Sequence, residues 1–170
     1  MMVFLGIDPG TATIGFGCIE VDSNQAAKAL SYGIIQTDKR DTMPDRLRII
    51  YEDMTQLLAD LRPDAMAVEE LFLLKNVNTA MPVAQARGVI LLCGAQAGVP
   101  VFGYTPAQIK QTVTGTGRAE KIEVQEAVRD LLDLESIPRP DDAADGLAIA
   151  LTHWQILVSR GEMPLLRTGA

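Results

Sequence analysis

A chain of 170 residues is about the length of one domain and can bury a sound core. Its 48% hydrophobic and 22% charged residues, with no apolar run near the roughly 18 residues a bilayer requires, exclude a membrane-spanning helix. The formal charge of -7 speaks against a simple polyanion-binding surface, but it is unevenly spread. From Leu71 to Arg118 there is no Asp or Glu, and Lys75, Arg87, Lys110 and Arg118 give that segment +4, which leaves -11 for the rest. The start, Met1-Met2-Val3-Phe4, has no basic n-region, so a cytoplasmic protein is expected. Cys18 and Cys93 have no second thiol or histidine spaced to share a zinc ion and read as buried thiols.

The first predicted element is a strand, Met2 to Asp8, an apolar run that delivers one carboxylate to its end before Pro9-Gly10 breaks it. Ile14 to Val21 and Ala29 to Thr37 read as a second and a third strand, completing a meander. Thr42 then caps a helix with Pro44 in its first turn, and Leu47, Ile50, Tyr51, Met54, Leu57, Leu58 and Leu61 give it an apolar face up to Arg62-Pro63. Asp64 to Val68 is a short apolar run that again ends in carboxylates, Glu69 and Glu70. Ala80 to Ala97 is expected to be a buried apolar helix, packed in the core or against a partner through Ala84, Gly88, Gly94 and Ala95. Pro100 to Tyr104 reads as a last strand, and Thr105-Pro106 starts a brief helix through Gln111. Thr112 to Arg118 reads as a flexible loop. Helices follow over Ala119 to Leu132 and Ala143 to Val158. The order predicts an α/β domain over 1–159, a mixed five-stranded sheet with helices on both faces, followed by a flexible tail over 160–170.

Four acids carry the functional argument. Asp8 and Glu69 end predicted parallel strands, and in an open α/β sheet the carboxyl ends of strands are where ligands bind. Asp142 and Asp145 lie one turn apart at the start of the last helix. There, capping of free N–H groups accounts for either residue singly. The surrounding Ala143-Ala144 and Gly146-Leu147-Ala148 are so small that this helix can lie close to the sheet. Carboxylates gathered in one place repel each other unless a cation intervenes, and hard oxygen donors suit Mg²⁺, with Mn²⁺ as the alternative. Two such ions, with Asp8 bridging, Glu69 on one and Asp142 or Asp145 on the other, fit in-line hydrolysis of a phosphodiester. Glu70 should face away from this cluster. His153 and Trp154, further along the last helix, read as packing residues.

These residues resemble the RuvC-type Holliday junction resolvases, crossover junction endodeoxyribonucleases of the RNase H-like or retroviral-integrase fold. The resemblance runs to about Thr152 and rests on an ordered set of motifs. They are Gly6-Ile7-Asp8-Pro9-Gly10, Ala67-Val68-Glu69-Glu70-Leu71-Phe72 with Lys75-Asn76, Gln85-Ala86-Arg87-Gly88, Lys110-Gln111-Thr112-Val113, Ala119-Glu120-Lys121 and Asp142-Ala143-Ala144-Asp145. It implies a homodimer that binds four-way DNA junctions in recombination and repair, nicks two strands of like polarity with divalent metal, and works with a branch-migration motor. Asp8, Glu69, Asp142 and Asp145 fall on the family's acidic positions, Lys110 and Lys121 on positions that bind the scissile-strand phosphate, and Phe72 on an aromatic one. Phe72 could stack on a base near the crossover, and Lys75, Lys110, Arg118 and Lys121 could track phosphates on either side of the cleft. The rival readings are an actin-like or sugar-kinase ATPase, for which the chain is too short, a junction binder without cleavage, and a nuclease acting on simple duplex or RNA.

Overall fold

A computed structural model describes residues 1–71 and 77–162. The order is β1 (Met2–Asp8), β2 (Thr13–Val21), β3 (Ala27–Gln36), α1 (Met43–Leu61), β4 (Ala65–Glu69), α2 (Val77–Gln96), β5 (Val101–Tyr104), α3 (Pro106–Thr114), α4 (Lys121–Leu131) and α5 (Asp141–Arg160). The sheet runs β3-β2-β1-β4-β5, with an antiparallel meander on one side and parallel β1/β4 and β4/β5 pairs on the other. This is the predicted mixed five-stranded architecture. Among the described residues no helix is long and apolar enough to cross a membrane.

The two faces of the sheet are packed differently. Leu5, Ile7, Ile14, Cys18, Met66 and Val68 meet Ile50 and Met54 of α1 and Ile90 and Cys93 of α2 in one core. On the other face Phe4, Ile19, Val21, Ala65 and Ala67 meet α3, α4 and α5. Strand alternation separates the two sets, since successive residues point to opposite faces.

Several expected bounds and burials are revised. The helix before Gly115 runs on to Thr114, because Val113 is buried in the core and Gly115 closes the helix at φ 84°, with the Thr112 and Thr114 hydroxyls donating to the carbonyls of Gln108 and Lys110. The predicted loop is therefore confined to Gly115–Glu120. The α2 helix is not buried all round. Ala86, Ile90 and Cys93 face the core, while Met81, Ala84, Gly88, Leu92 and Ala95 form an exposed stripe at helical spacing. Trp154 is half-buried at the margin of the core. The last helix continues two residues past Val158 and is closed by Gly161 at φ 65°. Phe72, Lys75 and the expected tail beyond residue 162 lie outside the described residues.

Candidate active site

Asp8 and Glu69 reach the same place by register and alternation. Ile7 is opposite Val68 in the parallel β1/β4 pair, so the two acids that follow end adjacent strands side by side. Phe4 and Gly6 precede Asp8, and Ala65 and Ala67 precede Glu69, on the face covered by α5, so both carboxylates point to that helix.

The remaining aspartates depend on how closely α5 lies on the sheet. A Cβ on Gly15 would fall 1.9 Å from the Asp142 carbonyl oxygen, one on Gly17 2.2 Å from the Leu147 nitrogen, and one on Gly6 2.1 Å from the Gly146 oxygen. From the helix side, a Cβ on Gly146 would fall 2.4 Å from the Phe16 carbonyl carbon. The helix thus rests backbone to backbone on β1 and β2, nearer than any side chain would permit. That contact carries the first turn of α5 to Asp8. One carboxylate oxygen from each of Asp8, Asp142 and Asp145 lies within 4.8 Å of the others.

Crowding of acids in a partly buried place shows in their proton affinity. Burial, and then the charges of Glu69, Asp145 and Asp142, push the Asp8 carboxyl up to about 8. Burial likewise raises Glu69, with Asp145 adding to it and a hydrogen bond to Asp8 and the charge of Lys110 opposing. Burial also raises Asp145, against the pull of Lys121. The Lys121 ammonium lies 3.2 Å from Asp145 and 3.9 Å from Asp141. Partial burial disfavours its charge, yet Asp145, Asp141 and Asp142 together hold it above the ordinary lysine range. The donor set is all oxygen, and an ammonium group already sits against one member. These residues therefore fit a hard divalent cation.

A cavity of about 260 Å³ opens between the acids and the two lysines. Asp8, Glu69 and Asp145 line it together with Lys110 and Lys121, and Ile109, Val124, Ala148 and Ile149 give it apolar walls. The structure thus brings together the four predicted acids and two of the predicted basic residues. Arg118 is exposed in the turn before α4, outside the cavity lining. Glu70 lies against Gly103 of β5, away from the acid cluster, as expected.

Sequence reasoning missed four contributions. Asp141 joins Lys121 and also pairs with Arg139. Arg87 of α2 donates to the Glu69 carbonyl oxygen at 3.2 Å, tying the end of β4 to that helix. Tyr104 and His153 form a buried hydrogen bond, for which the sequence carries no signal. The fourth is the glycine bed, and its signal was present. Gly6 stands two residues before Asp8, and Gly15 and Gly17 share a strand face, a period-two pattern that marks close backbone approach.

The meander, the parallel pair and an acidic, cation-fitting centre where β1, β4 and α5 meet define an RNase H-like nuclease. The profile described as "Crossover junction endodeoxyribonuclease RuvC" matches residues 4–153. Proteins of that name from Heliobacterium modesticaldum and Brevibacillus brevis are 54% and 53% identical to this chain, over 88% and 91% of it and 92% of each relative. A solved structure of Thermus thermophilus RuvC in complex with Holliday junction substrate superposes with a TM-score of 0.85 at 36% identity, covering 95% of this chain and 98% of that one. The yeast mitochondrial resolvase Ydc2, 12% identical with a TM-score of 0.67 over 94% of this chain and 82% of its own, shares the fold. The chain belongs to the RuvC family of crossover junction endodeoxyribonucleases.

Proposed function

We propose that the chain resolves four-way DNA junctions as a homodimer, making symmetric nicks with two divalent ions, Mg²⁺ or Mn²⁺, at each acid cluster. The observation that carries the reading is the convergence of Asp8, Asp142 and Asp145, from elements far apart in sequence, with Glu69 beside them. Asp8, in the middle of the set, would hold the ions together with Glu69 on one side and Asp142 and Asp145 on the other. Bound there, the ions supply Lewis-acid stabilisation to the attacking and leaving oxygens of a phosphodiester displacement.

The rest is done by the chain's own groups. Lys121, beside Asp145, and Lys110, in the same cavity lining, hold the scissile phosphate at the acids, countering the repulsion between phosphate and carboxylate. The apolar walls limit water and so strengthen each charge interaction inside. Arg118 extends the phosphate track beyond the cavity, and Phe72 and Lys75 belong to the same DNA path.

The exposed stripe on α2, with Met81 57% and Leu92 50% exposed among small residues, supports a two-fold interface between copies. Two copies so joined present two sites to a substrate that is itself near two-fold. A branch-migration motor is the expected partner in the cytoplasm, with the catalytic domain, expected over 1–159, taking in α5 to its Gly161 cap and the rest of the expected 160–170 tail outside it.

Cleavage of labelled four-way, three-way and linear DNA, with EDTA and after adding Mg²⁺ or Mn²⁺, tests the reading. Paired nicks confined to the four-way substrate and restored by either ion are expected. Equal cutting of linear duplex, or cutting in EDTA, overturns it.

A further inference from the structure

Glu69 is the acid with the weakest support from its own strand neighbours. Beyond β4 lies only β5, an edge strand of four residues on which Phe102 and Gly103 are exposed. Tyr104, the last residue of β5, is the register partner of Glu69, so the two side chains stand next to each other on the face covered by α5. Thr105 follows at once and caps α3, the helix that carries Lys110. The position of this one strand end therefore sets both an acid and a lysine of the cavity.

What holds that end lies two turns beyond Asp145 on α5. His153 is 1% exposed, and its Nδ1 is 2.7 Å from the Tyr104 hydroxyl. Its ring packs on Phe102 at 4.4 Å between centroids and meets the edge of Phe4 on β1 at 5.3 Å. Between those strands β4 presents only Ala65 and Ala67 on this face, which leaves room for the imidazole. Its second nitrogen, Nε2, is buried and has no hydrogen-bond partner among the described residues. Burying an imidazole is costly unless it is hydrogen-bonded, and the bond to the Tyr104 hydroxyl meets that requirement.

We propose that His153 and Tyr104 are positioning residues for the nuclease centre. Their hydrogen bond locks the end of β5 to α5, so that Glu69 and Lys110 keep their distance from Asp142 and Asp145. The inference rests on the assignment of the four acids as metal ligands.

The test compares Tyr104→Phe, which keeps the ring and removes the hydroxyl, with His153→Gln, which keeps a donor and an acceptor. Two quantities are measured on each purified variant: Mn²⁺ affinity without DNA, by titration, and the single-turnover rate at saturating junction. Tyr104→Phe is expected to weaken Mn²⁺ binding and slow the rate by roughly tenfold, the low end for outer supports of a metal site, with junction affinity in Ca²⁺ unchanged. His153→Gln, which can still bond the Tyr104 hydroxyl, should keep most of the wild-type affinity and rate. Wild-type Mn²⁺ affinity and rate in a folded Tyr104→Phe protein overturn the inference, whatever the change in melting temperature. Asp8→Asn, run alongside, separates the two levels. If it cuts normally, the metal-ligand assignment itself has failed; if only Tyr104→Phe is silent, the positioning role alone is lost.

Discussion

The two faces of one sheet are built to different ends. Against α1 and α2 the strands present Leu5, Ile7, Ile14, Met66 and Val68, large side chains that fill volume. Against α5 the same strands present Gly6, Gly15 and Gly17, which leave no volume and set a distance instead. The first face contributes stability through apolar area removed from water, and the second contributes the approach that places Asp142 and Asp145 beside Asp8. Both faces bury apolar core, but only the second, through its glycines, also sets the approach on which the acid cluster depends.

The largest expected effect is on the catalytic face. Asp8→Asn or Glu69→Gln should lower junction cleavage by at least roughly two orders of magnitude, each order corresponding to about 1.4 kcal/mol of barrier, while junction binding persists. Nicking at the wild-type rate by either variant would remove the centre from the comparison.

The contrast itself is tested by one substitution per face. Met54→Ala should cost about 2–5 kcal/mol of stability as a cavity opens, with turnover of the folded protein unchanged. Gly17→Ala should cost less, about 1–3 kcal/mol from overpacking, yet reduce turnover more, because its new methyl must push α5 and both aspartates outward. Denaturant midpoints and single-turnover rates decide it. If Gly17→Ala loses stability but no activity, the distance argument fails.

A further effect concerns pH. The Asp8 carboxyl, raised from 3.8 to about 8 by burial and by Glu69, Asp145 and Asp142, binds its proton more tightly folded than unfolded. Ionised Asp8 therefore destabilises the fold in EDTA, by nothing below about pH 4 and by the full amount above about pH 8. The melting temperature of Asp8→Asn should exceed that of wild type at pH 8, and the gap should close as pH falls. Parallel curves would show that the acids are not crowded. The smallest effect lies on the far side of α1, where the exposed Arg48–Glu52 pair spans one turn at 2.9 Å. Arg48→Ala should cost about 0.3–0.5 kcal/mol, with no change in cleavage.

Much of this was legible in the chain. The strands of the meander, the capped α1 and the two apolar runs ending in Asp8 and Glu69 follow from local periodicity and turn chemistry, and each lies within a residue or two of its expected bounds. The ordered acidic motifs also carried the family resemblance, which the relatives bear out. The sequence places the end of α3 too early because Thr112-Val113-Thr114 has modest helix propensity, and burial of Val113 in the core with the Gly115 cap carries the helix on. On α2 the small-residue surface was legible at Ala84, Gly88 and Ala95, which lie in the exposed stripe, but apolar residues run all round the helix, so periodicity left core and partner packing as alternatives and misplaced Gly94, which is buried.

The sequence by itself determined which carboxylates stand at element ends, because apolar runs and breakers act over a few residues. Only the tertiary structure decided that three of them share a space within 4.8 Å, that Lys121 reaches Asp145, and that Tyr104 meets His153. Those outcomes depend on how two backbones seat against each other. That seating is set by the absence of side chains at Gly6, Gly15, Gly17 and Gly146, on segments far apart in the chain, and no local pattern specifies which of them will meet.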